Sequence, residues 1–516
     1  MINTAIHKFI RVIFVLYIFV FPKKIKFKNL NNLDFSKADF TNYKKIKILI
    51  FKNNFIKNNN ELLINNFDFL KYSAKIGGKK GIEISKNNIF KWHEINNKKI
   101  NNLWASEIVA NRIINLIYNY DHINSLSTPK EETKLKNIIS TNIKRFNLEL
   151  SLRKNKDLNL LEFKASILIN ILLGKYSISY KKIFEEIIEN QIDKISIHKS
   201  YNIIEHSKFV NHINEIINIF LRFKIEVPEI FFITKLKMAT VLSQYFHKDG
   251  SVCLFNGAHN GYIKDIYSVL KEENNLRKME YPADENGIFF FEDKFKKIFF
   301  DVVQPSKSFL SKKLNASTLS IEFSSGKDKI FTNCGALEKL GGNAAYLRYT
   351  AAHSTLSLKN TNISEIREDQ PHLKFPQIVN FKKTKSNGWI SCEGSHNGYI
   401  KNYKKIIKRK IFFKESDESL YGEDWIISTI SANNEVVFHV RFHIMPDINI
   451  TETNNKRSVI IKTNNKNIWI FKSSANLVLE ESIYVDKGDI IKTNQIVIKG
   501  ITKNNREMVK WSLIKI

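Results

Sequence analysis

The chain has 516 residues, 43% of them hydrophobic and 12% aromatic, enough to bury large cores, too many for one ordinary domain, and contrary to global disorder. Its 81 Lys and Arg against 51 Asp and Glu leave a net charge of +30. That suits a polyanionic partner, although a composition this rich in Lys, Asn and Ile gives such a balance by itself. Three widely spaced cysteines, Cys253, Cys334 and Cys392, argue against a disulfide framework or a thiolate metal site. No P-loop, Gly-x-Ser-x-Gly, Gly-x-Gly-x-x-Gly, zinc-finger or RNA-recognition motif is present, so no nucleic-acid partner is expected.

Residues 1–60 are an apolar and basic lead-in. "FIRVIFVLYIFVFPKK", Phe9 to Lys24, is short for a membrane span and is interrupted by Arg11. It has the core of a signal peptide without a small-residue cleavage site. A buried first helix, a membrane-surface anchor and an export signal all remain open.

Residues 61–280 read as helices. "NLWASEIVANRIINLIYNYDHI", "NLLEFKASILINILLGKY" closing at Gly174, "FVNHINEIINIFLRF" and "ITKLKMATVLSQYFHKDGS" closing at Asp249-Gly250 carry apolar residues at three- and four-residue steps. Short polar connections between them predict stacked helical hairpins.

At "KMEYPADENG", Lys278 to Gly287, the period changes, and residues 281–516 read as strands. Hairpins are predicted in "GIFFFEDKFKKIFFDVV" around Glu-Asp-Lys, in "STLSIEFSSGKDKIFTNCG" around Ser325 to Asp328, and in "SVIIKTNNKNIWIFKS" around Asn464 to Lys466. "TAAHSTLSL", Thr350 to Leu358, reads as a strand with His353 on one face, a residue that strand formation does not require. The fold expected is multidomain, α then β, ending in an antiparallel sandwich, with an extended ligand in the cleft between the halves.

These residues are similar to the heparinase II/III-like family of polysaccharide lyases, of the alphaproteobacterial type. The motifs are "WASEIVANRIINLI" through Trp104, Arg112, Ile113 and Asn115; "LNLLEFKAS"; "HKSYN"; "HKDGSVCLFNGA"; and, in the second half, "LSIEFSSGKDKIFTNCG", "TAAHSTLSL", "SHNGY" and "VRFHIMP". The resemblance implies an incomplete (α/α) toroid followed by an antiparallel β-sandwich. It also implies β-elimination at a uronic acid of an anionic polysaccharide, heparin/heparan-like or alginate-like. That chemistry needs the C5 carboxylate neutralised, a base for the C5 proton and an acid for the departing oxygen.

Carried over residue by residue, the family's Asn-His pair falls on Leu158 and Asn159, so the neutralising Asn is lost, and Asn159 is either a carboxylate ligand or a helix-surface residue. His198, Ser200 and Asn202 keep the next motif; Glu205 stands where some members have a catalytic Tyr, with Tyr201 close by. The catalytic candidates are His198, Tyr201, His396 and Tyr399. The substrate-binding candidates are Asn159, Asn202, Asn256 and Arg348, the last able to clamp a carboxylate bidentately. Arg441 and His443 are assigned to the sandwich interior. The structural zinc of characterised members would use the positions of Asn315, Asn333 and His353; two amides and one imidazole are a poor donor set. No cofactor is therefore expected, zinc being disfavoured rather than excluded, and one alternative is that the three residues share hydrogen bonds.

The expectation is thus a carbon–oxygen lyase acting on an anionic, uronate-containing glycan. The alternative is a glycan-binding or envelope-polysaccharide biogenesis protein that kept the fold and lost the chemistry. The cell envelope or periplasm is the expected compartment, the cytoplasm the alternative, and the N-terminal segment is a candidate for membrane-surface association.

Overall fold

The computed structural model describes residues 9–14, 61–153, 158–175, 179–337, 344–367, 373–415, 417–430 and 435–516. They form two compact units. One holds residues 1–190 with 215–228, the other 191–214 with 229–516.

The first unit is helical. Its principal helices are Gly78–Asn96, Ser106–Tyr118, Pro129–Ser151, Leu160–Leu173 and Tyr180–Gln191. Local chemistry sets their ends. Thr128 and Glu131 form a capping box ahead of Pro129, and Asn159 and Glu162 form another. Gly174, in the left-handed conformation at φ 66°, closes the helix that Asn159 opens. The single helix expected over "NLWASEIVANRIINLIYNYDHI" is instead a short 3-10 turn, Asn102–Trp104, then Ser106–Tyr118 and Tyr120–Asn124, divided at Asn119. The family-like Trp and Arg of this segment have a packing role. The Arg112 guanidinium lies 4.2 Å from the Trp92 ring and 4.5 Å from the Trp104 ring, and Arg145 stacks on Trp104 at 4.3 Å.

Of the apolar N-terminal segment, residues 9–14 are helical; the remainder lies outside the described residues. Arg11, the interrupting charge, forms a two-pronged ion pair with Glu149 at 2.8 and 2.7 Å. Among the described residues no helix is long and apolar enough to cross a membrane.

In the second unit, helices Glu229–Gln244 and Ile263–Lys271 precede the strands. These are β1 (Ile288–Glu292), β2 (Lys296–Asp301), β3 (Ile321–Ser325), β4 (Asp328–Thr332), β5 (Leu356–Leu358), β6 (Val379–Ser386), β7 (Trp389–His396), β8 (Lys405–Lys414), β9 (Leu420–Ser428), β10 (Val437–Ile444), β11 (Asn449–Glu452), β12 (Ser458–Lys462), β13 (Ile468–Ser473), β14 (Leu477–Asp486), β15 (Asp489–Ile501) and β16 (Arg506–Lys515). The change from helix to strand falls between Lys271 and Ile288, but the compact units do not divide there: residues 191–214 and 229–280 go with the strands. One sheet runs β1-β2-β3-β4-β10-β15-β14 with β5 on β10; the other runs β11-β12-β13-β16-β9-β8-β7-β6. The three predicted hairpins are β1–β2, β3–β4 and β12–β13, each antiparallel.

The two sheets share one core. Phe323 meets Trp469 edge-on at 5.9 Å, and Phe442 meets Trp511 at 4.8 Å. A fully buried ion pair lies in it: Arg409 holds Asp424 through two bonds of 2.7 and 3.0 Å and donates to the carbonyls of Leu319 and Ser354. Trp511 Nε1 gives Asp424 a third donor at 2.9 Å. Helix followed by a two-sheet antiparallel sandwich is the architecture expected from the sequence.

One strand reading fails. Only Leu356–Leu358 of "TAAHSTLSL" is strand; Thr350–Ala352 form a 3-10 turn, and His353 is its extended C-terminal residue at φ −130°. The turn forms because the Ala352 and His353 amides bond back to Tyr349 and Thr350 carbonyls instead of to a neighbouring strand.

Candidate functional site

Among the expected site residues, the structure assembles one group in the second unit: His198, Tyr201, Asn202, Asn256 and Asn315. The scaffold is a pair of asparagines. Asn202 caps helix Ile203–Arg222, its Oδ1 accepting from the amides of Ile204 and Glu205 at 2.8 and 3.2 Å. Its Nδ2 donates to the Asn256 carbonyl at 2.8 Å. Asn256 has a left-handed backbone (φ 52°), which Asn tolerates better than most residues. Its Oδ1 accepts from the Asn315 amide at 3.0 Å, and its Nδ2 reaches the Tyr201 carbonyl at 3.4 Å. Both amides are thus spent holding three chain segments together, a positioning role; the expected substrate-binding role would have left them facing a ligand.

The clamp presents His198 and Tyr201. The His198 Nδ1 receives the Ser200 hydroxyl at 2.7 Å and the Ser200 amide at 3.3 Å. It therefore accepts, and the neutral ring carries its proton on Nε2. Burial pushes the His198 pKa down to about 4, so at neutral pH the side chain is a hydrogen-bond donor without charge. His206 supports it from behind, accepting the His198 amide at 3.1 Å and bonding the Met238 carbonyl at 2.9 Å.

Tyr201, at φ 49°, and Asp193 lie near enough to shift each other's titration, and the Asp193 Oδ2 is buried without a hydrogen-bond partner. Burial raises the Asp193 pKa to about 7 and, with Asp193 adding to it, raises that of Tyr201. The pair is a protonated phenol next to a carboxyl that titrates near neutrality. Nothing in the sequence marks Asp193 as a site residue. Its position is fixed by Oδ1 bonds to the amides of Ile195 and Ile197, at 3.1 and 2.8 Å, a turn with no motif of its own. Glu205, at the position of the family tyrosine, pairs with Lys208 and Lys313 at 3.2 and 3.1 Å. Burial raises its pKa, but the two lysines outweigh that and hold it at about 2.

The remaining candidates lie elsewhere. Asn159, in the first unit, accepts from Glu162 N–H as a helix cap and donates to Glu107 at 2.8 Å. His396 and Tyr399 are 2% and 1% exposed within the sandwich. Their rings are 5.9 Å apart, and the Tyr399 hydroxyl donates to the Thr361 carbonyl at 2.8 Å. Burial lowers the His396 pKa to about 3 and raises that of Tyr399. β7 alternates, and His396 falls on its inward row with Ile390 and Cys392. Arg348 is 5% exposed and donates to the carbonyls of Lys312, Leu314 and Arg367 at 2.7–2.8 Å, an arrangement that stitches loops. His443, as expected, serves the interior, bonding Ser482 and the Ala351 carbonyl.

The three zinc positions do not form a ligand set. Asn333 donates to Glu322 at 3.1 Å and accepts from the Ser354 amide at 3.0 Å, so its side chain is committed. The Asn315 Oδ1 and both His353 nitrogens are buried without partners, so the three do not share hydrogen bonds. Burial lowers the His353 pKa to about 3. Among the described residues no group of three His, Cys, Asp or Glu is placed to hold a metal ion. The charged element at this place is a buried cluster: Glu322 bonds His247 at 2.9 Å and Lys329 at 2.9 Å, and its other oxygen takes the Leu254 and Asn333 amides. Burial opposes the Glu322 charge, yet Lys329 and His247 together hold it down at about 2.

Comparison with known proteins fits this architecture. Residues 277–512 match the family model described as heparinase II/III-like, C-terminal. A heparinase III crystal structure superposes with a TM-score of 0.69 at 14% identity, covering 88% of this chain and 76% of that one. A heparan sulfate lyase from Pedobacter heparinus gives 0.60 at 14% identity, covering 87% and 76%. Among curated proteins, "FtsZ-localized protein C" of Caulobacter vibrioides is 22% identical over 284 residues, which is 52% of this chain and about half, 49%, of that relative.

Proposed function

We propose that the chain, whose residues 277–512 match the heparinase II/III-like, C-terminal family model, is a polysaccharide lyase-like protein acting on an anionic, uronate-containing glycan at His198 and Tyr201. The observation that carries this reading is the Tyr201–Asp193 pair in the same turn as an uncharged His198, whose carbonyl accepts the Tyr201 amide at 2.8 Å and whose Nδ1 accepts from Ser200. In β-elimination, a donor to the uronate carboxylate makes C5 acidic, and the His198 Nε2–H supplies that bond. Tyr201 takes the C5 proton while its own hydroxyl proton passes to Asp193. The C4–O4 bond breaks as the C4–C5 double bond forms. Tyr201 then gives a proton to O4 and recovers one from Asp193, so the proton count closes. Asn202 and Asn256 are positioning residues. The full-length protein, incubated with heparin, heparan sulfate, alginate and hyaluronan, is expected to release a 4,5-unsaturated product detectable by its ultraviolet absorbance. The absence of that product with every one of these polymers would refute the elimination.

A second reading is a binding protein at the cell envelope that holds an acidic glycan without turnover. Three candidates of the lyase reading favour it: His396 and Tyr399 are core residues, and Arg348 is spent on carbonyls. The name of the Caulobacter relative, "FtsZ-localized protein C", describes it by where it localizes. Saturable binding to an acidic polymer with no unsaturated product selects this reading.

A further inference from the structure

The exposed face of the second sheet carries a groove of about 340 Å³ that the reaction above does not use. Strand register builds it. Phe412 of β8 pairs with Tyr421 of β9, Tyr421 with Ser512 of β16, and Ser512 with Lys472 of β13. The neighbouring row pairs Lys410, Glu423 and Lys510. The alternating burial of β8 and β9 puts Phe412, Tyr421 and Glu423 on the outward row, opposite the core residues Ile411, Leu420 and Asp424. The floor is therefore aromatic, and Trp389, 41% exposed, extends it with its ring 5.7 Å from that of Tyr421. The rim is polar: Lys472, Lys510, Glu423 and Ser474. Glu423 is matched by Lys510 at 4.0 Å and accepts Trp425 Nε1 at 3.2 Å, while Lys410 lies 4.6 Å over the Phe412 ring.

We propose that this groove is a second glycan-binding site, for a short stretch of acidic sugar, separate from the His198–Tyr201 centre. The chemistry is complementary on both counts. Flat aromatic faces in a shallow open groove match the apolar C–H face of a pyranose ring. Lys472 and Lys510 face the carboxylate or sulfate groups of the same sugar, leaving the lining with a net positive charge after Glu423 is counted. The ligand class rests on the reading given under Proposed function; the location rests on the groove alone.

The test is isothermal titration of the full chain with an alginate hexasaccharide, with a neutral dextran oligosaccharide and a poly-glutamate peptide as controls. Tyr421→Ala is expected to weaken hexasaccharide binding by about tenfold, and Tyr421→Phe to leave it within about twofold, because the ring face remains. Lys472→Ala with Lys510→Ala is expected to remove most of the salt dependence of binding. Melting curves of the variants, unchanged from wild type, separate lost binding from lost folding. Equal affinity of Tyr421→Ala and wild type, no binding of the hexasaccharide at all, or equal binding of dextran overturns the proposal. Poly-glutamate bound as tightly as the sugar overturns the choice of sugar over acidic peptide. His198→Ala tells the two sites apart: if it abolishes product release but leaves hexasaccharide binding, the groove binds independently. If no product forms in any variant while Tyr421→Ala still loses binding, the groove stands and the elimination falls.

Discussion

The asparagine clamp yields a quantitative prediction. Asn256→Ala removes the acceptor of the Asn315 amide and the weaker bond to the Tyr201 carbonyl. It also leaves an alanine at φ 52°, which costs about 1–2 kcal/mol, and a buried N–H left unpaired costs about 1–3 kcal/mol. The sum is roughly 2–5 kcal/mol of local destabilisation. Hydrogen exchange read by mass spectrometry on the peptide containing Asn315 measures it. The unpaired amide alone should speed exchange by about 5-fold to about 150-fold. Asn256→Gly tolerates the backbone conformation but still lacks the acceptor, so its Asn315 amide should also exchange fast, with a smaller loss of overall stability. An Asn315 amide as protected in Asn256→Ala as in wild type would refute the clamp.

Other consequences follow from single groups. The Asp193 pKa, raised by burial from 3.8 to about 7, means that the folded state holds a proton the unfolded chain has already lost between those values. Asp193 therefore contributes stability that is fully present below about pH 4 and is lost as the pH rises through about 7. Asp193→Asn should flatten this part of the stability–pH curve, and an unchanged curve would contradict the assignment. Asp424→Ala leaves Arg409 buried and unpaired, and should cost about 3–5 kcal/mol in a denaturant titration; a loss below about 1 kcal/mol would show the pair to be dispensable. The His353 nitrogens have no partners, so His353→Leu should be neutral or stabilising in melting experiments, and metal analysis of the wild type should find no stoichiometric zinc. One zinc per chain, or a strongly destabilised His353→Leu, would contradict this account of the site.

The hairpins were legible because their turns are local: Asp293 accepts from the amides of Phe295 and Lys296, and Gly326 supplies a positive φ. The helix stop at Gly174 is legible for the same reason; the capping boxes at Thr128 and Asn159 are seen only in the structure, and the family register makes Asn159 a ligand candidate instead. The failures are non-local. Whether "TAAHSTLSL" pairs along its length depends on β10, which takes only Leu356 to Leu358. His396 sits on the inward row of "WISCEGSH", a row that Ile390 and Cys392 already mark; the motif match to "SHNGY" masked it. Asp193 carried no pattern at all, and Glu322, read only as part of a strand, proved to be the centre of a buried charge cluster because His247 and Lys329 converge on it from other segments.

The central claim is that Tyr201, backed by Asp193, moves the proton in an elimination. The most direct measurement is the rate of unsaturated-product formation by wild type and Tyr201→Phe, side by side on heparan sulfate and alginate at pH 7. The wild type is expected to form product and the variant to lose about 100-fold or more of the rate, with polymer binding retained. Equal rates in the two proteins, or product from neither, would contradict it.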